Sequence, residues 1–418
     1  MNKTLTQTPV PSLEALTSTD DAPYIERGTA AFLRTNLAFF CAGIATFALL
    51  YCVQPMMPVF SGVFGVSPAA ASLSLSLPTA AMAVCMLVAS AVSEAVGRKP
   101  VMLASVFASS AITIACAFVP GWEAFLALRL VQGLLLSGLP AVAMAFIAEE
   151  VHPRSSGYAM GLYISGSALG GMLGRVISGV LMEYGGWRLA IGGIGGLGMA
   201  AALVFWQCLP PSRHFTARPL LLRGLAENFA LHLRDGGLRW LFLVGFLLMG
   251  AFVTVYNYIG YRLLAPPFGL SHLLVGSVFT VYLVGIASST FIGGLADRFG
   301  RRRLLWVILL AMLGGLALMS LDWLPAVVGG LAVMTFCFFG AHSLASSWVG
   351  RRARLARAQA SSLYLFCYYM GSSVVGAAGG VAWSGLGWPG VTWLVGGCLA
   401  LALVAGLRLS RLQPVAAG

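Results

Sequence analysis

The sequence predicts an all-α membrane protein: twelve transmembrane helices in two pseudo-symmetric six-helix bundles, with both termini in the cytoplasm. Three observations predict it, namely the scarcity of charge, the length of the apolar runs and a loop motif that occurs twice. Of 418 residues, 59% are hydrophobic and 9% are charged, whereas a soluble domain carries about 25% charged residues. A water-facing surface cannot be built from this composition.

A helix crossing a bilayer needs about 20 apolar residues. Runs of that length occupy 37–60, 70–93, 101–119, 124–148, 157–182, 189–209, 239–264, 273–296, 304–322, 326–348, 359–384 and 390–409. In lipid every backbone amide needs an internal partner, so runs this long are helices. The remaining segments divide the chain into a cytoplasmic tail (1–36), a first bundle (37–209), a linker (210–238), a second bundle (239–409) and a short C-terminal tail (410–418). Residues 1–36 have no apolar core or cleavage site of the signal-peptide kind.

The net charge of +12 invites a nucleic-acid reading, but the position of the bases argues otherwise. With the termini inside, all of the 25 Lys and Arg except Arg129, Arg175, Arg188 and Arg262 fall on the inner side. Such a bias sets orientation in a membrane and requires no nucleic acid. The eight Cys are scattered singly with no C-x-x-C, so neither a disulfide framework nor a metal site is expected.

The chain also repeats itself. "GGLADRFGRRR" (293–303) restates "SAVSEAVGRK" (90–99), and "GLYISGSALGG" (161–171) aligns with "SLYLFCYYMGS" (362–372). Offsets this similar indicate two parallel copies of one six-helix unit.

The second loop matches G-x-x-x-D-x-x-G-R-[RK] through Gly293, Asp297, Gly300, Arg301 and Arg302. With twelve spans and a basic linker, this resembles the major facilitator superfamily over residues 30–410. "RLVQG" (129–133) resembles a motif of its drug and metabolite exporters, and "GSALGGMLGR" (166–175) is similar to their antiporter motif, with Gly171 in place of proline and Arg175 in place of the last glycine. "LYCVQPMMPV", "NYIGYRL" and "QASSLYLF" resemble the acriflavine-sensitivity branch of bacterial inner-membrane exporters.

Gly97 and Gly300 suit tight turns between helices, and Arg98 and Arg301 hold those turns on the cytoplasmic side. Topology alone has no use for Glu94 and Asp297. The resemblance implies that the second span faces the eleventh and the eighth faces the fifth. Each acid is then expected to cap the N-terminus of the opposing helix and latch the inner gate. Glu149 and Glu150 end the fourth span, where a helix terminus is already partly negative, and call for Arg98 and Arg154 as cationic neighbours.

A charge within the bilayer costs at least about 2.5–3.5 kcal/mol and must face protein or water. Arg129, with Gln132 on the same face, is therefore either a cavity and proton-coupling residue or a donor to neighbouring carbonyls. Arg175 either lines the interdomain face or snorkels outward to Glu183. Gly166, Gly170 and Gly174 form a smooth stripe on the fifth span, and Gly371, Gly376 and Gly380 a similar one on the eleventh. Both stripes suit either a sliding surface between domains or static packing.

No Asp or Glu lies mid-span, and His342 is the one central group that titrates near neutrality, so it is the second candidate for proton coupling. Tyr51, Gln54, Asn257, Tyr258, Tyr261, Tyr364 and Tyr368 complete a polar and aromatic set for a substrate cavity. Pro55, Pro58, Pro78 and Pro140 are expected to bend or break their helices.

These features point to a monomeric multi-pass transporter of the bacterial inner membrane. It would use no cofactor or metal and export a small neutral or anionic solute against protons. An importer of an organic anion is the alternative. An enzyme is disfavoured because no G-x-x-x-x-G-K-[ST] and no H-E-x-x-H occur, and a sensor would require a soluble output domain.

Overall fold

The computed structural model describes residues 24–215, 217, 229–353, 355 and 357–411. The first part of the expected N-terminal tail, most of the linker between 216 and 228, and the C-terminal tail from 412 lie outside the described residues. The described chain is almost wholly helical, as backbone in hydrocarbon demands.

The first bundle contains α1 (Ala30–Tyr51), α2 (Met57–Phe64), α3 (Pro68–Val96), α4 (Arg98–Cys116), α5 (Trp122–Leu136), α6 (Gly138–Glu150) and α7 (Pro153–Cys208). The second contains α8 (Gly236–Leu264), α9 (His272–Val278), α10 (Tyr282–Phe299), α11 (Arg301–Leu318), α12 (Leu324–Arg352) and α13 (Arg357–Arg411). Nine helices among the described residues are long and apolar enough to cross a membrane.

Two of these double back. α7 loses helical geometry at Gly185 and Gly186, and α13 at Gly387, where φ is 63°. A Cβ placed on Gly193 would meet the Leu181 side chain at 2.7 Å, although twelve residues of straight helix would separate them by about 18 Å. Likewise Gly390 lies against the Ala382 carbonyl.

Prolines and glycines place the remaining interruptions. α1 stops at Tyr51, a 3₁₀ turn Gln54–Met56 carries Pro55, and α2 restarts with Pro58 in its first turn. α5 yields to α6 at Ser137, just before Pro140. α3 runs through Pro78, which has no N–H to offer the Ser74 carbonyl. Gly97 (φ 111°) and Gly300 (φ 83°) make the two α-helix junctions of the repeated loop.

Within each bundle the first helix packs along the doubled one, α1 on α7 and α8 on α13. The bundles meet through α3 on α13 and α9 on α7. The closest approaches are Gly380, where a Cβ would lie 2.2 Å from the Ala69 Cα, and Gly179, where it would lie 2.7 Å from the Gly276 Cα. Both sit at the end of the bundles distal from the chain termini, and there the Glu183 carboxylate accepts a hydrogen bond from the Leu273 N–H at 3.3 Å.

Val84, Val88 and Val96 of α3, Tyr158 and Ile164 of α7, and Phe291 and Phe299 of α10 stand exposed, as do Tyr184, Leu386 and Trp393 at the distal end, as expected of side chains that face lipid. The tightest described contacts between the bundles are distal, with the Thr79–Ser373 hydroxyl pair at 2.6 Å at mid-depth.

The proximal face of each bundle is tied by charge. Arg98 grips Glu149 through Nη2–Oε1 at 2.7 Å and Nε–Oε2 at 3.2 Å and donates to Ser93 Oγ at 2.6 Å. Glu150 is buried and accepts the Arg213 and His214 N–H groups at 2.7 and 2.9 Å, so it fastens the start of the linker and does not pair with Arg154. Tyr24 stacks on His214, with ring centroids 4.4 Å apart.

In the second bundle Asp235 caps α8 through the Leu238 N–H at 2.8 Å and binds Arg352 at 2.6 Å. Burial raises the Asp235 carboxyl, but the Arg352 hydrogen bond, the Leu238 amide and the Arg352 charge outweigh it and leave it below its ordinary value. Because the folded value is lowered, this contribution is fully present above pH 3.8 and disappears as pH falls through the folded value. We expect Asp235→Ala to lose about 1 kcal/mol through the cap and Asp235→Asn to lose less. Thermal melts at neutral and acidic pH measure both, and equal melts of wild type and Asp235→Ala would refute the assignment.

Candidate functional site

The site forms where the bundles meet. Arg175 of α7 is fully buried. Its Nε donates to Gln54 Oε1, and its Nη1 turns back to the carbonyl of Gly171 in its own helix. Tyr51 and Tyr282 stack on the guanidinium, with Cζ 4.4 and 4.5 Å from the ring centroids, and Tyr256 and Phe279 stand at 5.6 and 5.7 Å. Such faces attract a cation through the ring quadrupole.

Gln54 passes the contact on, since its Nε2 donates to Asn257 Oδ1 at 2.6 Å. Arg175 and Gln54 belong to the first bundle and Asn257 to the second, so the relay crosses the boundary.

Of the two readings open for Arg175, the side chain takes the interdomain face and does not snorkel outward to Glu183. A Cβ on Gly171 would lie 3.3 Å from Nη1, so the small residue at 171 leaves room for the guanidinium to fold back among aromatic rings. Glu183 instead serves α9, as described above.

Arg129 lies elsewhere. It is fully buried within the first bundle and donates to the carbonyls of Ser74 at 2.8 Å, Leu49 at 3.0 Å and Leu50 at 2.8 Å, and to Gln132 Oε1. The first of these carbonyls is the one Pro78 leaves without a ladder partner, and the other two end α1. Gln132 continues to Thr113 Oγ1 at 2.5 Å. Arg129 and Gln132 thus tie α5 to α1, α3 and α4, four helices of one bundle, and are not brought to the boundary.

His342 of α12 is half-buried, 3.0 Å from the Tyr364 hydroxyl through Nδ1 and 4.5 Å from Tyr368 between ring centroids. Phe338 and Phe339 link this cluster to Tyr282, with centroids 5.6 Å apart for Tyr282–Phe339 and 6.2 Å for Phe338–His342. One aromatic wall therefore runs from His342 to Arg175. Tyr258 and Tyr261 lie distal to it, donating to the Gly376 and Met57 carbonyls, each at 2.9 Å.

The glycine stripes divide by neighbour. Gly166, Gly170 and Gly174 face the Phe40, Ile44 and Ala48 backbone of α1 in the same bundle, so of the two readings this stripe takes static packing and is not the interdomain face. Gly371 likewise faces Phe246 of α8, and of that stripe only the Gly376–Gly380 end reaches the other bundle, at Ser76 and Ala69. Periodicity marks a smooth face without saying which helix lies on it.

Of the gate residues, Arg98 and Glu149 come together. Glu94 is half-buried, with 42% of its side chain accessible, and stands 3.8 Å from Arg98. Gly300 and Arg301 join α10 to α11, and the Asp297 side chain lies outside the described residues.

Sequence reasoning missed Tyr256, Phe279 and Tyr282. The available signal was the adjacency of Tyr256 to Asn257 and the need of a buried guanidinium for aromatic faces.

Paired helical bundles with polar and aromatic residues at their junction define a multi-pass membrane transporter. The model of the Major Facilitator Superfamily matches residues 37–266 and 241–417, and the chain belongs to that family. An uncharacterized MFS-type transporter of Bacillus subtilis, YybF, is 50% identical over 380 residues, 91% of this chain and 94% of the relative. The inner membrane transport protein YnfM of Escherichia coli is 46% identical over 388 residues, 93% of each chain. Among solved structures, the peptide transporter POT in complex with sulfate superposes with a TM-score of 0.73 at 14% identity, covering 91% of this chain and 93% of that one. That likeness speaks to fold alone.

Proposed function

We propose that this protein is a proton-coupled secondary transporter of the bacterial inner membrane that exports a small neutral or anionic organic solute by alternating access. We read twelve crossings with both termini cytoplasmic, a reading supported by the two doubled helices, the helix α11 and the one-sided placement of Lys and Arg. The first bundle begins at Ala30 and the second at Gly236, a few residues before the boundaries read from the sequence, and the last helix runs to Arg411. The naming of YnfM as an inner membrane protein agrees with the location.

The observation that carries the reading is the relay from Arg175 through Gln54 to Asn257, a buried polar path between two bundles whose closest approaches are distal, and we read this arrangement as the proximally open conformer. Its net charge is positive, and no acid lies mid-span to receive a cationic solute. His342, beside Tyr364, is the proton-coupling group. Arg129 acts as framework, holding the breaks of α1 and α3. In the opposite conformer Glu94 and Asp297 cap the proximal ends of α13 and α7 as an inner latch.

Radiolabelled neutral and anionic solutes offered to everted vesicles should accumulate only when the lumen is made acidic, and His342→Gln should leave exchange intact while removing the gradient dependence. Gradient-driven movement in the opposite direction would make the protein an importer. Coupling retained in His342→Gln would exclude this histidine.

A further inference from the structure

The relay has a direction. A guanidinium only donates, so Arg175 fixes Gln54 with its oxygen toward Nε and its NH₂ group toward Asn257. Asn257 must then present its oxygen to Gln54, which turns its own NH₂ outward. Two buried donors, Arg175 Nη2 and Asn257 Nδ2, make no hydrogen bond of good geometry, and the Tyr282 hydroxyl, which lies close to the guanidinium, is a neutral acceptor that leaves the charge uncompensated. Their surplus is one of donors only, and a group with several acceptor sites and no hydrogen satisfies it.

Charge narrows the group further. Arg175 is fully buried, and among the described residues no carboxylate is paired with it. Desolvating a cation without a counter-charge is costly, and aromatic faces offset only part of it. An anion at Nη2 would supply both the acceptor and the missing charge.

We propose that Arg175 is the binding residue for the carboxylate of a planar aromatic anion. The ring of this ligand lies on the wall formed by Tyr282, Phe339 and Phe338 on the way to His342. The assignment rests on the transporter reading above and names its substrate class. A carboxylate suits Nη2 because charge-assisted hydrogen bonds are roughly twice as strong as neutral ones, and a flat ring suits the wall because offset and edge-on stacking add to area burial.

The test is a thermal-shift titration of the purified full chain at constant ionic strength with benzoate, benzamide and cyclohexanecarboxylate. Benzoate is expected to raise Tm by mass action, with both other compounds about tenfold weaker or more. Arg175→Gln should abolish the benzoate shift. Should that variant not fold, Arg175→Lys retains the charge with a poorer donor geometry and should keep the order of the three compounds at lower affinity. Equal shifts with benzoate and benzamide, a benzoate shift undiminished in Arg175→Gln, or no shift with any of the three would overturn the assignment. Transport of a neutral solute in the vesicle assay would still leave the exporter reading standing.

Discussion

Arg129→Leu should lower stability by roughly 3 kcal/mol, because two opposing effects of unequal size are at work. Removing the guanidinium relieves a buried charge costing about 2.5–3.5 kcal/mol by insertion scales. Against this, hydrogen bonds from a charged donor contribute about 1.5–3 kcal/mol each, and a buried acceptor left without a partner costs about 1–3 kcal/mol. Arg129 serves three carbonyls and Gln132, so the losses outweigh the relief. That loss is a large share of the 5–15 kcal/mol available to typical folded domains. The readouts are Tm in detergent and the monodisperse fraction, and Arg129→Lys should fall between wild type and Arg129→Leu. An unchanged Tm in Arg129→Leu would mean that water reaches the freed carbonyls.

Two glycine substitutions of identical chemistry should have different consequences. Gly170→Ala places a Cβ 2.3 Å from the Ile44 carbonyl oxygen inside the first bundle, whereas Gly380→Ala places one 2.2 Å from the Ala69 Cα across the boundary. Overpacking of this kind costs about 1–3 kcal/mol. In Gly170→Ala the strain belongs to every conformer and appears as reduced stability. In Gly380→Ala it belongs to the distally closed conformer, so the population moves about 5- to 150-fold toward the opposite one. Cysteine accessibility at the proximal opening should then fall in Gly380→Ala and remain as in wild type in Gly170→Ala. Asp297→Asn, which removes the proposed latch, should move it the other way. Equal accessibility in all these variants would separate neither the glycines nor the latch from simple packing.

The architecture was legible because it follows from solvation and charge sorting. Scarce charge, long apolar runs and the one-sided placement of Lys and Arg all act over tens of residues and tolerate local error. The repeated loop was equally plain, as was the pairing of Arg98 with Glu149.

The site was legible only in part. Gln54, Asn257 and Tyr51 were chosen correctly as a polar and aromatic group, yet their order in a relay depends on rotation about helix axes that a single sequence does not fix. For Arg175 the sequence held two readings open, and the eight-residue spacing to Glu183 could not choose between them because it says nothing of the nearer aromatic faces on α8 and α10. For Arg129 the sequence held both readings open. Pro78 and the end of α1 decide its placement by exposing carbonyls, and that required knowing which helices touch.

Gly171 and Arg175 depart from the exporter motif together, and side by side they amount to one event. Position-by-position scoring counts two losses, but the bare backbone at 171 is the room that the long side chain at 175 occupies. Where the motif carries a proline, this chain has instead the space that a fixed positive group occupies. Homologues that restore glycine at 175 are therefore expected to regain a bulkier neighbour at 171, and that covariation can be counted in any alignment of relatives.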